Sequence, residues 1–238
     1  MKASIFFPGI ITAVVSSMIF LPKFSKKTDE IILPKSAKMG QEITHGDTAK
    51  KQVIFTFDGG ATVQSAEEVL KVLAKRKIKG TFFLTGKMVE TYPDLVRRIK
   101  SEGHEIFNHT YDHKDLRVLS DDEIVEELSA MSKRLFDIAG ISPKPYFRAP
   151  YGLRNDRILT TAKKAGYISV YWTIDALDWR EWQGQTSDQV ERRVLSSLKP
   201  GAIFLMHLGD NITGAILNDV FAKIEKEGYK IVSLTEGL

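Results

Sequence analysis

Five histidines occur in this 238-residue chain, and two of them lie four apart in His109-Thr110-Tyr111-Asp112-His113. On one helical turn that spacing turns both rings toward a single ion, which neutral imidazole binds well. Two imidazoles leave such a site incomplete; a carboxylate and water usually finish it. A third histidine closes Leu205-Met206-His207, and an imidazole there suits general acid work near neutral pH. Arg148 opens Arg148-Ala149-Pro150-Tyr151-Gly152, a fixed cation beside a rigid turn that can hold a carboxylate and keep it ionised. Asp58 follows an apolar run. Asp175-Ala176-Leu177-Asp178-Trp179 brings a carboxylate able to orient or charge a histidine, with an aromatic wall beside it. Taken singly, each has a plainer reading: a satisfied core histidine, a structural salt bridge, a core tryptophan.

The elements around these residues give the set its weight. Val53–Phe57 is a short apolar run ended by Asp-Gly-Gly, hence a buried strand. Further strands are predicted at 81–84, 105–107, 146–148, 168–174, 202–206 and 229–234. Helices are predicted between them: 65–77, one from Pro93, one from a Ser120 capping box with Glu123 to a stop at Gly140, 155–165, one capped by Ser187, and 215–227. Strands apolar on both faces and alternating with helices argue for a parallel sheet under helical cover. Seven such units fit an incomplete barrel, with a doubly wound open sheet as the alternative. Asp58, Asn108, His109, His113, Arg148, Asp175, Asp178 and His207 all fall at the carboxyl ends of strands, where both architectures assemble their sites.

Composition narrows the function classes. With no cysteine, a disulfide framework, a cysteine-rich zinc site and a lipoprotein anchor are all excluded. The net charge of +4 comes from Lys and Arg interleaved with Asp and Glu, which reads as a soluble, slightly basic surface before attraction to an anionic polymer or membrane surface. No basic patch alternates with aromatics, so no nucleic-acid partner is expected. Residues 1–22 start with Met1-Lys2 and run apolar from Ala3 to Pro22, long enough to span a bilayer. No Ala-x-Ala pattern follows, which favours an uncleaved anchor over a cleaved signal peptide. Residues 23–49 are polar and lysine-rich and read as a linker, leaving 50–238 as one folded domain. Such a tethered domain is expected outside the cytoplasm, membrane-anchored or secreted, and as a monomer.

Together, Thr56-Phe57-Asp58, His109 to His113, Arg148 to Gly152, Asp175 to Trp179 and Leu205 to His207 resemble the polysaccharide deacetylases of the NodB-homology type, carbohydrate esterase family 4. The match runs in order from about Val53 to Leu234. The resemblance implies a distorted (β/α)7 barrel and metal-dependent removal of N-acetyl or O-acetyl groups from a cell-wall or matrix glycan, such as peptidoglycan or chitin-like oligomers. It implies His109 and His113 as ligands of a divalent metal, zinc before cobalt or nickel. It further implies Asp58 as general base, Arg148 as its holder, His207 as general acid and Asp175 as the charge partner of His207. The backbone N–H of Tyr151 would stabilise the oxyanion, and Trp179 and Leu205 would line the substrate pocket. The chain departs from the family pattern at one point. The first motif usually carries two adjacent aspartates, the second a metal ligand, and here Gly59 takes that place. Asp58, Asn108, Asp112 or water is then left to fill the third position. Gly59 also motivates a second reading, a non-catalytic glycan-binding protein on the same fold; a deacylase of a lipid-linked sugar is a third.

Overall fold

The structure is a computed structural model that describes Met1 and residues 42–238; the expected anchor and most of the expected linker lie outside the described residues. In chain order the elements are β1 (Gln52–Gly59), α1 (Ala66–Arg76), β2 (Thr81–Leu84), α2 (Gly86–Thr91), α3 (Pro93–Ser101), β3 (Glu105–Asn108) and α4 (Asp121–Ala139). They continue with β4 (Tyr146–Phe147), α5 (Asp156–Lys164), β5 (Ile168–Ser169), β6 (Ile174–Asp175), α6 (Ser187–Ser196), β7 (Ile203–His207), α7 (Ile212–Lys226), β8 (Lys230–Val232) and α8 (Leu234–Gly237). Short 3-10 turns occupy Leu116–Val118, Pro150–Gly152 and Asp178–Gln183. The sheet order is β5-β4-β3-β2-β1-β7-β6, with β8 also on β1, and these pairings are parallel. This is the distorted (β/α)7 barrel that the motif set implied.

The two-residue period of a strand sorts its side chains between two cores. On β1, Val53, Phe55 and Phe57 face the helices and join Leu70, Leu73, Phe204 and Phe221 in the larger core. Phe55 stacks on Phe204 and meets Phe221 edge-on. Ile54 points the other way, into an inner core with Phe83, Phe107, Tyr146, Val170 and Ile203. Further along the same inner side come Thr56 and Asp58, which Arg148 joins by hydrogen bonds. The barrel interior is therefore apolar at its base and charged at the carboxyl ends of its strands.

Helix boundaries follow the caps. Ser120 and Glu123 form the expected capping box, and Gly140 ends α4 in the left-handed region at φ 66°. At α6 the cap is Thr186, paired with Gln189, one residue before the expected Ser187. Two further expectations are corrected. The predicted strand 168–174 divides into β5 and β6, because Tyr171 N–H turns to the carbonyl of Ile43 and Thr173 N–H to that of Ile203. The folded unit also reaches back to residue 42, not residue 50. Ile43 bridges to Val170, and Glu42 takes both a two-pronged ion pair from Arg154 and the Ser169 hydroxyl. Among the described residues no helix is long and apolar enough to cross a membrane.

Candidate active site

A cleft of 670 Å³ opens over the carboxyl ends of the strands. Asp58, His109, His113, Tyr151, Asp175, Trp179, Leu205 and His207 all line it, so the structure brings the expected residues together; Arg148 lies just beneath. Asp58 and His207 are register partners on β1 and β7, which places them one strand spacing apart, about 4.8 Å.

Arg148 is buried and does two jobs. Its Nη1 donates to Asp58 Oδ1 at 2.6 Å and to Thr56 Oγ1 at 2.9 Å. Its backbone carbonyl accepts His109 Nδ1–H at 2.9 Å. The guanidinium stays ionised although burial pulls it down, because Asp58 supports its charge. Phe83 lies 4.1 Å from its central carbon. Asp58 is thus pinned through Oδ1, and Oδ2 is left toward His109 Nε2 at 3.5 Å.

The histidine pair meets without a helical turn. Residues 109–115 form an irregular loop in which Thr110 and His113 adopt φ of 66° and 58°. Side chains hold this shape: Asn108 Oδ1 accepts Thr110 N–H, and Thr110 Oγ1 accepts His113 N–H. Buried Glu127 on α4 accepts the N–H groups of Tyr111 and Asp112. The two Nε2 atoms end 3.2 Å apart. Because His109 spends Nδ1–H on a carbonyl, its Nε2 carries a lone pair. Burial, then the neighbouring His109, brings His113 down to about 4, and burial lowers His109 as well, so both rings are neutral at neutral pH.

His207 is oriented by Asp178 and not by Asp175, contrary to the expected pairing. Asp178 Oδ1 accepts His207 Nδ1–H at 2.9 Å, and Oδ2 accepts the His207 backbone N–H. Asp175 instead shapes its own loop, accepting Leu177 N–H at 2.8 Å and the Trp179 indole N–H at 3.3 Å. Leu177 is left-handed at φ 63°, and that reversal carries Asp178 back under His207. Burial disfavours the charged ring, but the Asp178 carboxylate overrides it, with smaller help from Asp58 and Asp175. His207 is raised to about 9. Tyr151 is left-handed at φ 58°, a strained setting for a bulky residue, and its ring packs edge-on against His113.

The family model for polysaccharide deacetylase matches residues 45–170. The chain belongs to this family. It is 32% identical over 191 residues to the peptidoglycan-N-acetylmuramic acid deacetylase PdaA of Bacillus subtilis, covering 80% of this chain and 73% of that protein. The solved PdaA structure, a family 4 carbohydrate esterase, superposes with a TM-score of 0.79 at 31% identity, covering 83% and 85% of the two chains. A chitooligosaccharide deacetylase of Bradyrhizobium is 35% identical over 166 residues, 69% of this chain and 74% of that one. A Bacillus anthracis protein described as a pseudoenzyme of carbohydrate esterase family 4 superposes with a TM-score of 0.78 at 28% identity, covering 83% and 69%. This polysaccharide deacetylase is, by family, a carbohydrate-deacetylating enzyme.

Polysaccharide deacetylases generally depend on a divalent metal, and two of the residues present here fit one. Two nitrogens bound at about 2.0–2.1 Å to one tetrahedral ion stand roughly 3.3 Å apart, close to the observed Nε2 separation of 3.2 Å. A third ligand is less plain. Asn108 donates to Leu128 O and Ser132 Oγ on α4, away from the cleft. Asp112 is taken by Lys87 and Lys114. Of the three side chains considered for the place of Gly59, Asp58 alone approaches, through Oδ2. Among the described residues no group of three His, Cys, Asp or Glu side chains converges as a complete site. Sequence reasoning missed Asp178 as the histidine's partner, Glu127 as the support of the His loop, and the exposed Trp182 at the cleft rim.

Proposed function

We propose that this chain removes N-acetyl groups from an extracytoplasmic amino-sugar polymer, peptidoglycan or chitin-like, by hydrolysis. The observation that carries the reading is one cleft in which an Arg148-pinned carboxylate and an Asp178-held imidazolium flank a pair of neutral imidazoles. When bound at His109 and His113, a divalent ion supplies polarisation of the acetyl carbonyl and activation of water. Asp58 Oδ2 accepts a proton from the attacking water as its oxygen bonds to the acetyl carbon. The Tyr151 backbone N–H is assigned to stabilise the charge that develops on the carbonyl oxygen. His207 Nε2 then delivers its proton to the amide nitrogen, the C–N bond breaks, and acetate and a free amine leave. Aromatic faces of Trp179 and Tyr151 line the cleft where sugar rings would lie. The apolar N-terminal run is consistent with a membrane-tethered or secreted enzyme, which would place the site where such polymers are found.

The test is acetate release from N-acetylglucosamine oligomers and from peptidoglycan fragments, with each divalent metal added in turn. Asp58→Asn and His207→Ala are each expected to lower kcat by roughly 10²–10⁴-fold. Normal release by Asp58→Asn would refute the assigned mechanism. The second reading, glycan binding without turnover, is favoured by Gly59 and by the likeness to a pseudoenzyme; glycan affinity with no acetate release under any metal would establish it.

A further inference from the structure

Behind His207 lies a second buried carboxyl that the chemistry above does not use. Asp210 follows β7, and its Oδ1 accepts the Thr213 N–H at 2.8 Å. Its backbone carbonyl accepts the Ser65 hydroxyl, whose oxygen in turn accepts Gly214 N–H. Its Oδ2 is buried without a hydrogen-bond partner. The Thr213 hydroxyl donates to Asp178 Oδ2 at 2.5 Å. One residue therefore grips both carboxyls, Asp210 through its backbone and Asp178 through its side chain. Asp178 Oδ1 holds the His207 ring. The charged groups that face this cluster are His207 on β7 and Asp178 and Glu181 on the 3-10 turn. Glu181 is spent on Asn211, and Glu68 of α1 is spent on Lys71.

A buried carboxylate oxygen with no donor is costly, the more so beside a second anion. A proton on that oxygen removes the charge penalty and makes the side chain a donor toward the neighbouring Asp178 carboxylate. The surroundings divide the two carboxyls in that sense. Asp178 receives the His207 ring, the His207 backbone N–H and the Thr213 hydroxyl, and despite burial it is held below the ordinary carboxylate range by His207. Burial, then the Asp178 charge, pushes Asp210 up to about 7, so it holds its proton below neutral pH. Two carboxyls whose environments separate them in this way hold different jobs.

We propose that Asp210 is a positioning residue for the catalytic acid: as a neutral carboxyl clamped by Thr213, it sets Asp178, and through Asp178 it sets His207. The proposal rests on the deacetylase reading, in which His207 is the proton donor. It names a requirement that the five motifs do not contain, a carboxyl three residues beyond the histidine joined to it through a threonine.

The experiment compares Asp210→Asn, Asp210→Leu and Thr213→Val in the full chain. Each is measured by acetate release against pH and by NMR titration of the His207 ring. The asparagine amide keeps a neutral donor and an acceptor for Thr213 N–H, so kcat/KM is expected within about 2-fold of the parent, with the His207 titration in place. Asp210→Leu removes the donor and is expected to lower kcat by about 10-fold to 100-fold, with KM little changed and the His207 titration displaced upward. Thr213→Val, which disturbs packing least, should move both in the same direction by less. The proposal fails if Asp210→Leu and Thr213→Val leave the titration and kcat unchanged. It also fails if Asp210→Asn displaces the titration as far as Asp210→Leu, since that marks an ionised Asp210. If the parent releases no acetate from any glycan, the deacetylase reading falls, while the ring titrations still decide the role of Asp210.

Discussion

His207 can donate a proton only while its ring is charged, and the structure says how long that lasts. Its ordinary value is near 6.5 and its folded value is raised to about 9, so the imidazolium persists through neutral pH and is lost as pH rises through about 9. With the deacetylase reading, kcat/KM should fall on an alkaline limb near that pH. Asp178→Asn removes the principal support for the charge and should draw the limb down toward the ordinary value, with a loss of kcat. Asp175→Asn, whose carboxylate touches Leu177 and Trp179 instead, should move it far less. An equal response from both variants would show that the hydrogen-bond geometry is not what tunes the ring. The two aspartates also mark the limit of what the residues disclosed. Both stand in one five-residue stretch at a strand end, and only the left-handed turn at Leu177 decides which reaches His207. A leucine gives no local signal for such a turn. Arg148 with Asp58, by contrast, was reached only through the family resemblance, and the structure sets the two 2.6 Å apart.

At the scale of the element, alternation along β1 explains both the site and the missing ligand. Thr56 and Asp58 share the inner side with Ile54, while Val53, Phe55 and Phe57 face the helices. A Cβ added at Gly59 would stand 2.3 Å from Met88 Sδ on α2 and 2.7 Å from Leu84 Cδ2. The crowding atoms are the flexible ends of Met88 and Leu84, which can move aside. Gly59→Asp is therefore expected to cost the fold only about 1 kcal/mol, the low end for overpacking, a Tm loss of a few degrees for a chain of this size. Adding Met88→Ala should recover part of it. A Gly59→Asp protein that melts with the parent would show that α2 yields freely. Strong caps made α4 legible almost to the residue, since Ser120, Glu123 and Gly140 act through local hydrogen bonds. The loop that pairs His109 with His113 was not legible, because its shape depends on Glu127, fourteen residues further on and on another element. The six-residue α2 was missed for a related reason: its apolar positions are too few to show a period.

For the whole molecule, the sheet order leaves β5 and β6 as opposite edges, and an open edge invites pairing with something else. Residues 42–47 occupy that gap. Ile43 N–H donates to Ser169 O and its carbonyl accepts Tyr171 N–H, while Thr44 O accepts the Thr173 hydroxyl. Gly46 and Asp47 then reach Gly201 and Gly237 on the far side. Ile43 is buried in the inner core with Ile54, Phe83 and Val170, and the Arg154 guanidinium lies between Glu42 and the Tyr171 ring. The segment reads as linker from composition, because one isoleucine among glycine and polar residues carries no strand period and its partners lie more than 100 residues away. Its job is to close the barrel. A chain beginning at residue 42 and one beginning at residue 50 should therefore melt differently. Loss of the buried isoleucine alone is worth about 2–5 kcal/mol, or a Tm drop of order 10 °C, and Ile43→Ala in the full chain should reproduce most of it. Glu42→Gln should cost less, since its ion pair is part-exposed and such pairs contribute modestly. If the two truncated chains melt together, the strap lies on the barrel without holding it. If they separate and Ile43→Ala follows the shorter chain, the inner core that supports Arg148 from below begins with a residue that lies before the first strand.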